Sequence, residues 1–173
     1  MALSVHTFAG VQVVSVTKAL AAAGNYAAND VLSEHASSGT AWTFEDVVKK
    51  NGRTATITKA MAILETTALT PRIVLYLFKA VPTSVLNDNV LNTALLHADL
   101  ANFVGWIEFD AMETLNAGDS VAISTSGTNG NVPLEFSCAT ADADLYGIAV
   151  TRDAITGEAA GDDLTIVLFV RQD

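Results

Sequence analysis

The sequence predicts an all-β fold: a single-domain β-sandwich, jelly-roll-like, spanning residues 1–173, with a short helix or long loop near residues 88–101. Three observations carry this. About nine short runs rich in β-branched and aromatic residues recur along the chain, separated by Gly/Asn/Asp clusters, the pattern of an all-β sandwich or barrel. One run, "IVLYLF", is apolar at every position, so a strand there must be covered on both faces. The length of 173 residues suits one domain, and such a domain buries roughly 70% of its unfolded surface without a metal or disulfide staple.

Each element follows in order. "VQVVSVT" (residues 11–17) is dense in β-branched side chains. "AWTFEDVV" (41–48) places Trp42 and Phe44 on one face, Thr43 and Glu45 on the other. "RTATITKAMAIL" (53–64) opens with alternating threonines and reads as a long strand. "RIVLYLFKA" (72–80) sends Ile73, Leu75 and Leu77 one way and Val74, Tyr76 and Phe78 the other. "NFVGWIEFD" (102–110), "SVAIST" (120–125), "VPLEFSC" (132–138), "DLYGIAVTRD" (144–153) and "DLTIVLFVRQ" (163–172) complete the set. Pro133 cannot donate to a ladder, which places its run at an edge or a strand start. Turns fall at "NG" (51–52), "NAGDS" (116–120), "SGTNGN" (126–131) and "TGEAAGDD" (156–163). Two segments could be helical. Residues 15–30 are rich in alanine and hold Gly24 as a candidate stop, and 88–103 offers Asp88 or Asn89 as an N-cap with Leu91, Leu95 and Ala98 at helical spacing. "TKALA" (17–21) and "TKAMA" (58–62) are alike, but two matches set no repeat period.

The connection over residues 81–101 is longer than most, and such loops are often functional. It carries Val85, Leu86, Val90, Leu91, Leu95, Leu96 and Leu100. Fully burying each Leu or Val is worth about 1.5–3 kcal/mol, so these residues must pack on something. They either cover an open end of the chain's own sandwich or are completed by a neighbouring subunit or partner. Val85, Leu86, Val90, Leu91 and Leu95 are the candidate partner-interface residues.

Composition narrows the chemistry. Half the residues are hydrophobic and 16% are charged, below the roughly 25% typical of globular domains; either the core is large or apolar surface meets a partner. Nine Lys and Arg against 19 Asp and Glu give a net charge of −10. Nucleic-acid binding needs clustered cations to displace counterions, yet the one adjacent basic pair is Lys49-Lys50. No nucleic-acid or membrane partner is therefore expected. The acidity serves solubility or complements a basic protein surface. Residues 1–10 show no basic residue followed by a long apolar stretch, which predicts no signal peptide. The six residues of "IVLYLF" fall far short of the roughly 20 a spanning helix needs, and a soluble chain made in the cytoplasm is expected.

Enzyme signatures are sparse, and no catalytic residue, cofactor or metal is expected. Neither a P-loop nor a Gly-rich loop opening a helix is present. His6, His35 and His97 lie far apart; His97 and Asp99 would not share a helix face. Cys138 alternates with Val132, Leu134 and Phe136, the place of a buried small hydrophobe rather than a nucleophile. The acids at 142–144 and 161–163 lack the spaced ligands, Gly and distant Glu of an EF-hand loop and read as solvated turn acids. Glu108 and Asp110 share the Trp106 face of a strand, a pattern that can resemble a sugar site. A glycosidase needs two carboxylates at a defined separation.

Residues 26–60 ("YAANDVLSEHASSGTAWTFEDVVKKNGRTATITKA"), 70–109, 142–154 ("DADLYGIAVTRDA") and 161–173 ("GDDLTIVLFVRQD") together resemble the small structural proteins of tailed bacteriophages. The likeness is one of phrase and texture, without a catalytic motif. It implies a capsid decoration (cement) protein that binds and stabilises the shell of major capsid protein at the virion surface, as a homo-oligomer with a trimer favoured. A tail or head-fibre module is the alternative within virions. A carbohydrate-binding sandwich using Trp42 or Trp106 is the alternative outside them.

Overall fold

The structure, a computed structural model, describes residues 10–21, 24–66, 69–114, 118–128, 130–158 and 160–172. His6 lies outside them. The strands among these residues are β1 (Val11–Ala19), β2 (Gly24–Tyr26), β3 (Val31–Leu32), β4 (Trp42–Phe44), β5 (Thr54–Leu64), β6 (Ile73–Phe78), β7 (Phe103–Phe109), β8 (Glu113–Thr114), β9 (Ser120–Ser124), β10 (Leu134–Ser137), β11 (Leu145–Thr151), β12 (Ile155–Glu158) and β13 (Asp163–Gln172). They form two main antiparallel sheets. The first runs β1-β13-β5-β9-β8, with β10 on the other half of β5; the second runs β3-β11-β6-β7, with β4 beside β3 on β11. A small β12-β2 pair stands apart. No helix among the described residues is long and apolar enough to cross a membrane.

Period-two alternation builds the core between the sheets. From the first sheet, Leu164, Ile166, Leu168 and Val170 of β13 point inward; from the second, Ile73, Leu75 and Leu77 of β6 meet them, all buried in one cluster. β5 reaches this core by a change of parity. Ala55 and Ile57 face in before a bulge, and Ala60, Ala62 and Leu64 face in after it. The bulge falls where the β13 register passes from Ile57 to Lys59, leaving Thr58 without an opposite residue. Thr58 Oγ1 donates to the Phe169 carbonyl at 3.1 Å and fastens the bulge.

The all-β sandwich stands, and every strand-bearing run singled out above holds a strand, though "AWTFEDVV" keeps only Trp42–Phe44. Val74 and Phe78 are buried on the far face of β6, as a strand apolar on both sides requires. Among the described residues, neither helical candidate forms an α-helix. Residues 15–30 continue β1 to Ala19 and later form β2. Residues 88–103 hold a single 3-10 turn at His97–Asp99 in an otherwise irregular connection. The cause is in the backbone donors: Asn89 N–H goes to the Val31 carbonyl and Asn92 N–H to Asn29, while the Val90 carbonyl accepts from Val31 N–H. These bonds, with the Asp30–Leu91 bridge, add a short strand-like contact in place of helical i→i−4 bonds. The "TGEAAGDD" turn is partly a strand as well, since β12 runs through Glu158.

Candidate partner-binding surface

The connection over residues 81–101 is a strap laid across the outer face of the second sheet; of the two sequence alternatives, the part that packs on the chain itself covers a sheet face and not an open end of the sandwich. Under it lies a second apolar cluster of Val31, Val74, Phe78, Ile148 and Val150. Val85, Leu86 and Ala94 of the strap pack half-buried on that cluster. The other three candidate residues turn outward: Leu91 is 64% exposed, Val90 38% and Leu95 37%. Leu96, Leu100 and Val81 are exposed with them. The strap thus divides its apolar side chains between an inner and an outer face.

Carboxylates hold it in that posture. Asp88, 1% exposed, accepts from Ser33 N–H at 2.7 Å and from the Tyr26 hydroxyl at 3.0 Å. Its own N–H donates to the His35 carbonyl at 3.0 Å. Asp99, also buried, accepts from the N–H and hydroxyl of both Thr83 and Ser84, over 2.7–3.0 Å. Burial alone would raise the Asp99 carboxyl; those four bonds outweigh it and hold the group below the usual carboxylate range. Asp99 therefore closes the strap on its own base, and Asp88 ties its middle to residues 33–35. Gly39 completes the seat. A Cβ there would fall onto the Leu86 carbonyl, and its N–H donates to Asn87 Oδ1 at 3.1 Å.

The loop that receives the strap is itself pinned to the first sheet. Lys18 of β1 is buried and reaches Glu34 Oε2 at 2.5 Å and the Thr40 carbonyl at 2.6 Å. Glu34 also accepts from Ser33 and Thr40 hydroxyls. Burial lowers the Lys18 ammonium and works against the Glu34 carboxylate too, but the hydrogen bonds from Lys18, Thr40 and Ser33 bring Glu34 down to about 2.

Trp106 joins the outer surface through a second bulge. In a regular strand Phe103 and Trp106, three apart, would face opposite ways. The β6–β7 register instead sets Trp106 opposite Tyr76 and Phe103 opposite Phe78, skipping Val104. Both rings then share the outer face, stacked with centroids 6.3 Å apart, and Phe103 rests on Phe78 at 5.5 Å. Gly105 takes φ 154° in this bulge. Trp106 is 41% exposed, at the edge of an aromatic series that starts in the second cluster. Glu108, on the same face, stands 3.6 Å from Arg152. Trp42 is not a sugar platform: it is 1% exposed and its indole N–H donates to the Leu32 carbonyl at 3.0 Å.

The other residues singled out for chemistry are occupied structurally. Cys138 is buried, and its thiol is pushed up to about 12 by burial and by Asp142 and Asp144, so no thiolate forms near neutral pH. Asp142 accepts from the Tyr146 hydroxyl at 2.7 Å, and Asp144 from Asp46 N–H at 2.8 Å. His35 Nδ1 accepts from Ser37 and Ser38 N–H groups. Among the described residues no group of three or more His, Cys, Asp or Glu side chains is placed to hold a metal ion. Sequence reasoning found the strap by its length and its leucines. It missed Asp88 and Asp99 as anchors and Trp106 as a neighbour of Phe103.

Fold and surface together define a β-sandwich carrying an anchored apolar strap on one face. No protein-family model and no curated protein matches the chain. Among solved structures it is similar to the capsid of Ralstonia phage GP4, at 15% identity and a TM-score of 0.47, over 100% of this chain and 91% of that one. The likeness is distant, and the reading of the surface rests on its own residues.

Proposed function

We propose that the chain is a non-enzymatic capsid decoration protein of a tailed bacteriophage, binding and stabilising the shell of major capsid protein through the outer face of the strap. The observation that carries this reading is the posture of residues 90–100: Leu91, Leu95, Leu96 and Leu100 are held in water by buried carboxylate anchors rather than folded under. Isolated exposed leucines are ordinary. A run of them on a segment fixed at both its middle and its base is a surface built to be covered. The sequence resemblance supplies the partner, and with it a trimer as the assembled form.

The test uses shells of the parent phage's major capsid protein assembled without this chain. Wild-type protein should cosediment with them and raise their thermal resistance, and cryo-EM should place it as three-fold density on the outside of the head. Failure of the wild type to bind the shells sinks the proposal. Density on the tail or a head fibre would replace it with another virion role. A glycan-dependent change in Trp106 fluorescence without shell binding would favour a carbohydrate module.

A further inference from the structure

Among the described residues, β1 ends the first sheet and no strand pairs with its outer side. All nine residues from Val11 to Ala19 pair in unbroken register with β13 on the inner side, and no other strand follows β1 in the sheet order. The β13 ladder runs one pair further on the inner side, where Leu20 N–H meets the Asp162 carbonyl; among the described residues, the bond leading away from β13 comes only past the strand's end, from Ala21 N–H to the Ser33 carbonyl. Edge strands usually carry a guard against pairing: a proline, a bulge, or a charge on the edge. β1 has no proline and no register shift. Its single charge, Lys18, is turned inward to Glu34. Its outer face shows Val11 and Val13, each 56% exposed.

Alongside this edge runs an open groove of about 540 Å³ between residues 12–17 and a wall of Thr43, Glu45 and Asp46. Both acids are exposed, and among the described residues neither takes part in an ion pair. The groove thus offers, on one side, a row of peptide groups with no backbone partner among the described residues and, on the other, negative charge.

We propose that the β1 edge is a strand-addition site for an extended segment of a partner protein with Lys or Arg at alternate positions, its peptide groups completing the ladder and its cations facing Glu45 and Asp46. A second copy of this chain is the poorer occupant. It would bring its own Glu45 and Asp46 to the same groove, and a charge of −10 toward another −10. The site is separate from the strap and does not depend on the role proposed for it.

The experiment uses the full chain and a short synthetic peptide alternating lysine with valine or threonine, followed by amide hydrogen exchange. Peptide binding should slow exchange in β1 by at least about tenfold, and affinity should fall by about tenfold or more in the Glu45→Gln/Asp46→Asn double variant and again as salt rises. A backbone N-methylated form of the peptide should protect nothing. Unchanged β1 exchange at saturating peptide overturns the proposal, as does equal binding of a peptide with glutamate in place of lysine. Protection of β1 that grows with protein concentration alone would assign the edge to a second copy and likewise overturn it.

Discussion

The sandwich interior and the strap solve the same problem in different ways. In the interior, strand ladders satisfy the main chain and alternation sends every second side chain inward, so Leu164, Ile166, Leu168 and Val170 all bury completely. In the strap, side-chain carboxylates do much of the ladder's work. Asp99 alone accepts four hydrogen bonds, and Asp88 takes a backbone N–H from a residue 55 positions away. A ladder imposes a period on its side chains; a carboxylate anchor imposes none. That is why the strap's leucines part between two faces while those of β13 do not. Stability should therefore reside in the interior, and surface chemistry in the strap.

Substitutions can break that division, and the interior should give the largest effect. Leu168→Ala leaves a cavity in a fully buried site and should cost about 2–5 kcal/mol, read as a lower denaturant midpoint. A variant as stable as wild type would mean the two sheets do not pack as described. Next comes Asp88→Ala, which leaves Ser33 N–H buried without its acceptor, at a cost of about 1–3 kcal/mol. Here the pattern matters more than the size: amide exchange over residues 85–95 should speed up while β5 and β13 stay protected. Uniform acceleration would show that the strap is not a separate unit.

Gly39→Ala sharpens the same point without removing a hydrogen bond. The new methyl meets the Leu86 carbonyl, so the strap must lift, at about 1–3 kcal/mol. Environment-sensitive chemical shifts of Leu86 and Val85 should move while those of Leu168 do not. Part of the acid dependence comes from Glu34. Its carboxyl is held at about 2 against an ordinary 4.5, so the folded state binds its proton less readily than the unfolded chain does. The stabilisation is present above the ordinary value and is lost as pH falls from about 4.5 toward 2. Melting curves across that window should show a loss that Glu34→Gln reduces; an unchanged acid profile would refute the Lys18–Glu34 pairing. The smallest effect on the isolated protein belongs to Leu91→Ser and Leu95→Ser. Both side chains are exposed, so stability should stay within about 0.5 kcal/mol of wild type, while shell binding weakens. Normal binding by both variants would remove the outer strap from the proposed interface.

Much of the sandwich was legible because alternation is local. "IVLYLF" announced its two covered faces, and "VPLEFSC" its inward Cys138. The strap was legible only in outline. Asp88 and Asn89 look like a helix N-cap because a carboxylate that accepts a nearby N–H starts a helix. The same oxygen chemistry here serves Ser33, and nothing in the local sequence distinguishes the two uses. Asp99 reaches back to Thr83 and Ser84, a partnership that depends on the whole path of the strap. The bulges hid as well. Each inserts one residue against a partner strand, so the faces of Phe103 and of Ala60 follow from pairing and not from counting.

The split between anchor and display has an evolutionary side. Changes at Val90, Leu91 or Leu95 disturb no anchor of the strap, whereas changes at Asp88, Asp99 or Gly39 disturb its seat. If the proposed partner binds the strap, selection on partner choice can therefore work through the outer residues while the scaffold's tolerance for mutation is left unspent. A lineage carrying this fold can follow a changing partner surface by substitution in one short segment, and the expected mark in its descendants is fast drift at those outward positions beside fixed acids a few residues away.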